Sequence, residues 1–239
     1  MGPLEPVFER RMIRESFACR KKKGTHAALN DAHRQLRRYK YFLKMDIRKF
    51  FNSIDHRVII ETIERVIKDK DVVDLFKTII ETSGESGKGL AIGSLTSQCL
   101  ANLLLDRLDH FVKETLRIPG YNRDMDDFVL FSNDKNQLKK AHTKVIYFLR
   151  DAVKLTLKDK ATILAPSQRG LPFLGWTLTP GLRRLRQENL RRIRRRIKER
   201  RWHYKLGLIS EEQFADVERS LFEHLKSGNT YQLRLRMIR

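Results

Sequence analysis

The stretch Tyr121–Phe131 reads YNRDMDDFVLF and sets three carboxylates, Asp124, Asp126 and Asp127, directly ahead of the apolar run Phe128, Val129, Leu130 and Phe131. Short acids are poor strand formers and the apolar run is the opposite, so the carboxylates are expected at a hairpin tip that feeds a buried strand. Adjacent ionised carboxylates repel unless a cation neutralises them, and an oxygen-rich acidic site suits Mg²⁺. A solvated acidic turn explains a bare pair of aspartates equally well, so the rest of the chain must decide. Far upstream, Asp46 closes a second apolar segment, YFLKMDI over residues 41–47. If the two strands are antiparallel neighbours, the carboxylates converge beside backbone carbonyls. They can then hold two Mg²⁺ ions, one activating an attacking hydroxyl and the other clamping a leaving phosphate. That is polymerase chemistry. A two-metal nuclease needs similar acids, but it needs neither the aromatic residue that follows Asp46, Phe51, nor a basic helical arm.

The elements that must position these groups alternate between helix and strand. Helical spacing runs over residues 5–18 and 25–38, separated by the basic link CRKKKG. After the strand at 41–47, a helix is predicted over 57–82, then the turn SGESGKG and a long buried helix beginning near Leu95. An amphipathic helix follows the acidic hairpin from about 135 to 153, GLPFLGWTLTP reads as a strand hairpin, and Pro180-Gly181 marks a boundary. Beyond it, RRLRQENLRRIRRRIKERRWHYKLG is predicted as one basic helix with Leu182, Leu185, Leu190, Ile193 and Ile197 on its apolar face, and a smaller helical pair ends the chain.

Composition points to a polyanionic partner. Across 239 residues, 50 Lys and Arg stand against 29 Asp and Glu, a formal charge of +21, far beyond what solubility requires. Nucleic acid is the first candidate and an anionic membrane the second. No run long enough to span a bilayer is present, MGPLEPVFERRM lacks a signal-peptide core, and Pro6 stands where a myristoylation signal has Ser or Thr. These features lead to the expectation of a soluble protein with no membrane partner. Cys19 and Cys99 lie far apart without zinc-ligand spacing, which fits a reducing cytoplasm.

Four segments, KMDIRKFFNSIDH, GLAIGSLTSQCLANLLL, RDMDDFVLF and LPFLGWTLTP, resemble in order and spacing the successive motifs of reverse transcriptases. The resemblance implies an α+β right-hand polymerase. Partial fingers would occupy 1–40, a first part of the palm 41–56, a fingers-like helical insertion 57–95, a second part of the palm with its primer-grip hairpin 96–180, and a basic helical thumb 181–239. Carried over residue by residue, Asp46 and Asp126 match the main metal-binding aspartates, Asp127 matches the second acid of the YxDD box, and the carbonyl of Ile47 completes the metal shell. The implied cofactor is a pair of Mg²⁺ ions, with Mn²⁺ as an in vitro substitute. Phe51 matches the steric gate against a ribose 2′-OH, although an ordinary core Phe fits the same position. Phe173, Leu174, Gly175 and Trp176 resemble the primer grip, where a tight glycine turn lets backbone approach the primer terminus; a plain hairpin core is equally compatible with Leu174 and Trp176. Lys160 aligns with a palm lysine that protonates departing pyrophosphate, and a surface lysine is the alternative. Arg191, Arg192, Arg195 and Arg196 fall where the family binds nucleic acid with its thumb.

The box Ile92-Gly93-Ser94-Leu95-Thr96-Ser97-Gln98 departs from the usual QGxxxSP. Together with ACRKKKGTHAAL and FFNSIDH it looks like the reverse transcriptases of diversity-generating retroelements, which copy a template inaccurately at adenines. Ile92, Gly93 and Gln98 then line the nucleotide site, and a branched Ile92 in place of glutamine loosens the check on base geometry. This likeness implies an RNA template, a DNA or RNA primer, dNTPs, a ring-forming basic accessory protein, and a cytoplasmic enzyme of bacterial, archaeal or phage origin. Group II intron, retron and phage-defence enzymes, and a catalytically silent nucleic-acid-binding relative, are the competing assignments. Two departures stand out: Asp124 replaces the YxDD tyrosine, and the resemblance starts inside the second fingers motif, so the upstream triphosphate-binding strands are expected to be missing. Arg20, with Lys21, Lys22 and Lys23, is the candidate replacement, against the usual fate of a charge run as a solvated face.

Overall fold

The computed structural model describes residues 4–238, which divide into two compact units, one ending at Ser167 and the other beginning at Gln168. The first contains α1 (Glu5–Arg11), α2 (Thr25–Arg38), β1 (Tyr41–Asp46), α3 (Phe50–Ser53), α4 (His56–Val66), α5 (Lys70–Glu81), α6 (Leu95–His110), β2 (Gly120–Asp124), β3 (Asp127–Ser132), α7 (Lys135–Ala152) and β4 (Ile163–Pro166). The second contains β5 (Leu171–Phe173), β6 (Trp176–Thr179), β7 (Leu182–Leu185), α8 (Gln187–Lys205), α9 (Glu211–Lys226) and α10 (Tyr231–Ile238).

In the first unit an antiparallel sheet runs in the order β2-β3-β1-β4. Alternation along the strands sends Leu43 and Met45 of β1, with Phe128 and Leu130 of β3, into the core shared with α4, α5, α6 and α7. Phe42, Val129 and Phe131 point the other way and are buried too. A strand covered on both faces needs an unbroken apolar sequence, which is why FVLF follows the aspartates without a polar interruption. Helix α2 packs against β2 and β3.

Three predicted elements differ in the structure. The first helix stops at Arg11 rather than continuing to residue 18. Past it, Phe17 N donates to Arg123 O at 2.9 Å and Arg123 N to Glu15 O at 2.9 Å, so the segment satisfies backbone groups along the free edge of β2. The helix expected over 57–82 is two helices, because Asp69 caps a new one by accepting from the amides of Asp71 at 3.0 Å and Val72 at 3.2 Å. The basic arm does not begin as a helix: residues 182–185 form β7, paired with β6 across the Pro180-Gly181 turn, and helix starts only at Gln187. The hairpin geometry of Pro-Gly thus overrides the 3.6-residue spacing of Leu182 and Leu185.

In the second unit, β5, β6 and β7 form a three-stranded antiparallel sheet, and Ile193 and Ile197 of α8 pack with Leu221 and Leu225 of α9. Asn229 is bonded to β7 twice, its Oδ1 accepting from Arg183 N at 2.9 Å and its N–H donating to Arg183 O at 2.9 Å. Among the described residues, no helix is long and apolar enough to cross a membrane.

The sheet edge that leads into the acidic turn depends on Gly120. A Cβ there would lie 2.6 Å from the Tyr39 ring and 2.8 Å from Cβ of Phe131. Gly120→Ala should therefore destabilise the chain by about 1–3 kcal/mol, read as a lower urea midpoint at unchanged m-value.

Candidate active site

The register of β1 against β3 places Asp46 opposite Asp127, and β2 and β3 are joined by a two-residue turn, Met125-Asp126, closed by the pair Asp124 and Asp127. Met125 takes a left-handed conformation, φ 57°. The turn is held to the end of β1 by Ile47 N, which donates to Asp126 O at 3.2 Å. On the other side of β1, Arg48 N donates to Thr156 O at 2.9 Å and Lys158 N to Asp46 O at 2.8 Å. These backbone bonds bring Asp46, Ile47, Phe50, Asp126, Lys158 and Lys160 around one cavity of about 590 Å³.

Its electrostatics favour a bound cation. Burial pushes the Asp126 carboxyl above its ordinary value, and the neighbouring Asp46 adds to the shift. Asp127 is pushed up to about 7, by burial first and then by Asp46 and Asp126, against the opposing pull of Lys44. Lys44 Nζ lies 2.9 Å from Asp127 Oδ1, so Asp127 has a resident counter-ion within the fold. Asp124 is raised by burial and by Asp126, and its Oδ2 is buried without a hydrogen-bond partner. Among the described residues, no group of three or more His, Cys, Asp or Glu side chains is gathered tightly enough to hold a metal unaided. Mg²⁺ does not need one, since it binds through one or two carboxylates together with waters and substrate phosphates. Asp46 and Asp126 offer two such carboxylates on one cavity.

Beneath the turn lies a buried ionic network. The side chains of Arg123 and Asp109 are both fully buried and paired. Arg123 Nε donates to Asp109 Oδ1 at 2.7 Å and Nη2 to Asp109 Oδ2 at 2.6 Å. Nη2 also donates to Ser16 Oγ at 3.0 Å, while Nη1 donates to Asn102 Oδ1 at 2.9 Å and to the carbonyl of Met125 at 3.2 Å. A guanidinium has five N–H donors, and all of them are used here. Tyr121 OH donates to Asp109 Oδ1 at 2.8 Å, and Asn102 Nδ2 to Ala18 O at 2.8 Å. Burial works against the charge on Arg123, but Asp109 overcomes it and holds the guanidinium above its ordinary range.

The other sequence candidates are distributed around this centre. Phe50 lines the cavity, and Phe51 is half-buried with its ring edge-on to Phe50 at 5.4 Å. Ile92 is 77% exposed just before Gly93, whose φ is 91°. Gln98 is half-buried in the first turn of α6, a helix capped by Ser94. Arg20 is not among the residues of the acidic cavity. It is committed to Glu9 at 2.8 Å and to the carbonyls of Ile13 and Ser16. In the second unit, Leu174 and Gly175 form the turn between β5 and β6 with φ of 46° and 84°, while Phe173 and Trp176 are buried. Both Asn189 Nδ2 and Arg186 N donate to Gly175 O, at 3.0 and 3.1 Å. Arg191, Arg192, Arg195 and Arg196 are exposed on α8. Sequence reasoning missed Lys44, Lys158, Asn189 and the whole Arg123 network; of these, only Lys44, a charge inside an apolar strand, carried a local signal.

Residues 2–178 match the model of the family described as reverse transcriptase (RNA-dependent DNA polymerase). The chain is 30% identical over 115 residues to the group II intron-encoded protein LtrA of Lactococcus lactis subsp. cremoris, a match covering 45% of this chain and 18% of that protein. It thus spans less than a fifth of that relative. Its fold is similar to apo telomerase from Candida tropicalis truncated from the C-terminal domain, with a TM-score of 0.61 at 14% identity over 77% of this chain and 45% of that one. Telomerase from Candida albicans in complex with a TWJ fragment of telomeric RNA aligns with a TM-score of 0.59 at 13% identity over 95% of this chain and 48% of that one. The architecture is the α+β right-hand polymerase fold.

Removing one member of the buried pair leaves the other charge stranded. Asp109→Leu and Arg123→Met should each cost about 3–5 kcal/mol, whereas the two combined should recover most of that loss. Urea unfolding of the three variants provides the test, and additive losses in the double variant would contradict a coupled pair.

Proposed function

We propose that this chain, which belongs to the reverse transcriptase family, extends a primer with deoxynucleotides copied from an RNA template. The observation that carries the reading is the convergence of Asp46 and Asp126 on one cavity with Lys158 and Lys160 at its edge. Asp46 and Asp126, with the Ile47 carbonyl, would hold Mg²⁺, which when bound lowers the pKa of the primer 3′-hydroxyl and offsets the charge of the triphosphate. Lys44 holds Asp127 and keeps the end of β3 in register with Asp46. Lys160 Nζ donates a proton or hydrogen bond to the departing pyrophosphate, with Lys158 adding positive charge at the same mouth. Phe51, packed against Phe50, limits the space at the sugar C2′. Leu174-Gly175 presents backbone to the primer terminus, and Arg191, Arg192, Arg195 and Arg196 contact phosphates without reading sequence.

Two observations favour different roles for the copying. The exposed Ile92 in an IGxxxSQ box supports inaccurate copying of the diversity-generating kind, a role that brings with it a ring-forming basic accessory protein. The likeness to an intron-encoded protein supports service to a group II intron.

The purified chain should extend a DNA primer on RNA in Mg²⁺, and Asp126→Ala should abolish extension while leaving template-primer binding within about twofold. Equal extension by the variant would refute the assignment, and tight binding with no extension by the parent chain would identify a silent relative. Sequencing the cDNA separates the two roles. Errors concentrated at template adenines and reduced by Ile92→Gln are expected for the diversity-generating role, and uniform fidelity for the intron role.

A further inference from the structure

We propose that the outward face of α8 is a binding site for unpaired nucleic acid, with the indole of Trp202 as the platform on which one base stacks. Arg191, Arg195, Lys198, Trp202 and Lys205 follow one another at alternating steps of four and three residues. At about 100° per residue these side chains share a narrow sector of the helix. The opposite sector carries Ile193 and Ile197, which are buried against α9. The stripe therefore points to solvent along a length of about 21 Å, at 1.5 Å per residue.

Two features distinguish it from an ordinary solvated basic face. Trp202 is 56% exposed, although an indole left in water gives up the burial that makes it useful to a fold. Its ring neighbour is His203 at 5.4 Å and a 50° tilt, so among the described residues no aromatic ring stacks on the indole face. Tyr204, two positions on, is by contrast stacked on Phe214 at 5.4 Å and 7°. The cations are also uncommitted. Arg186 pairs with Glu188 and Arg201 with Glu218, but among the described residues none of Arg191, Arg195, Lys198 and Lys205 forms an ion pair.

The combination selects its ligand. Four uncommitted cations in a row call for a polyanion, and an open indole among them calls for a flat apolar surface between the anionic groups. Unpaired RNA or DNA presents both, since each base offers a π-face and each linkage a phosphate. In a duplex the base faces are covered by their stacked neighbours, and an acidic peptide supplies charge without a matching plane.

The site rests on the proposed reading only in taking nucleic acid as the partner. Its test uses the intact chain and tryptophan emission, because Trp176 is fully buried and Trp202 is the exposed reporter. Fluorescein-labelled oligo(U) and a blunt RNA–DNA hybrid of equal charge are titrated, reading anisotropy for binding and emission for stacking. Oligo(U) should quench and shift the Trp202 emission. Trp202→Ala should weaken oligo(U) binding by about 5- to 150-fold, Trp202→Phe should restore most of it, and hybrid binding should change less than about twofold. Oligo(U) affinity unaltered in Trp202→Ala, or equal losses for oligo(U) and hybrid, would overturn the proposal. Failure of primer extension with Trp202 quenching intact would remove the polymerase reading and leave this site standing. Extension with no response of Trp202 would do the reverse.

Discussion

The geometry of the acidic centre depends on a charge buried beneath it. Taking a guanidinium and a carboxylate out of water costs several kcal/mol per ion, and attraction offsets this only when every donor finds an acceptor. Arg123 meets that condition with acceptors drawn from Ser16, Asn102, Asp109 and the carbonyl of Met125. The last of these is the decisive one, because Met125 is the left-handed residue of the turn that presents Asp126. A two-residue turn carrying acids at both ends would otherwise be free to splay. Here its backbone is tied from below to α6 and to the segment after α1, two elements that are themselves fixed by the core. The specificity of the network lies in this convergence of three chain segments on one side chain.

With the turn fixed, its negative charge becomes the next constraint. Asp127 is neutralised by Lys44, which sits on β1 two residues before Asp46 and so shares its face of the strand. Among the described residues, Asp46 and Asp126 have no ion-pair partner, and each raises the cost of ionising its neighbours. The chain therefore separates its acids into one balanced internally and two that face the cavity. The cavity side of the centre is thus left with a surplus of negative charge, offset only at longer range by Lys44 and Lys158.

Much of this was legible along the chain. Asp46 lies at the end of one apolar run and Asp126 just ahead of another, which marked both acidic sites, while the antiparallel pairing that brings them together was only a condition until the structure supplied it. The hairpin, α2 and the long α6 were similarly local. The Arg123 network was not, because its partners lie far apart in sequence and Arg123 is one of 50 Lys and Arg in a chain whose composition favours a surface role for any of them. The same composition made Arg20 look available for a triphosphate, whereas contact with Glu9 and two carbonyls commits it to the fold. The early end of α1 and the strand β7 share a different cause. In both places, backbone pairing with a neighbouring strand outweighs a helical pattern that the side chains alone satisfy.

The second unit applies the same logic to a neutral turn. Leu174 and Gly175 both have positive φ, the signature of a type I′ hairpin, in which Asn-Gly is the usual sequence. A leucine in the left-handed region costs about 1–2 kcal/mol, so something must hold it there. The carbonyl of Gly175 accepts from Asn189 Nδ2 and from Arg186 N, and a Cβ at Gly175 would lie 1.9 Å from Asn189 Nδ2. The turn is thus clamped to the first turn of α8. A displacement of α8 along a nucleic-acid backbone would carry Leu174-Gly175 with it, so the phosphate contacts proposed for the helix and the backbone contact proposed for the turn are made by one rigid piece. The two hydrogen bonds on the Gly175 carbonyl are what let a strained leucine persist at the turn.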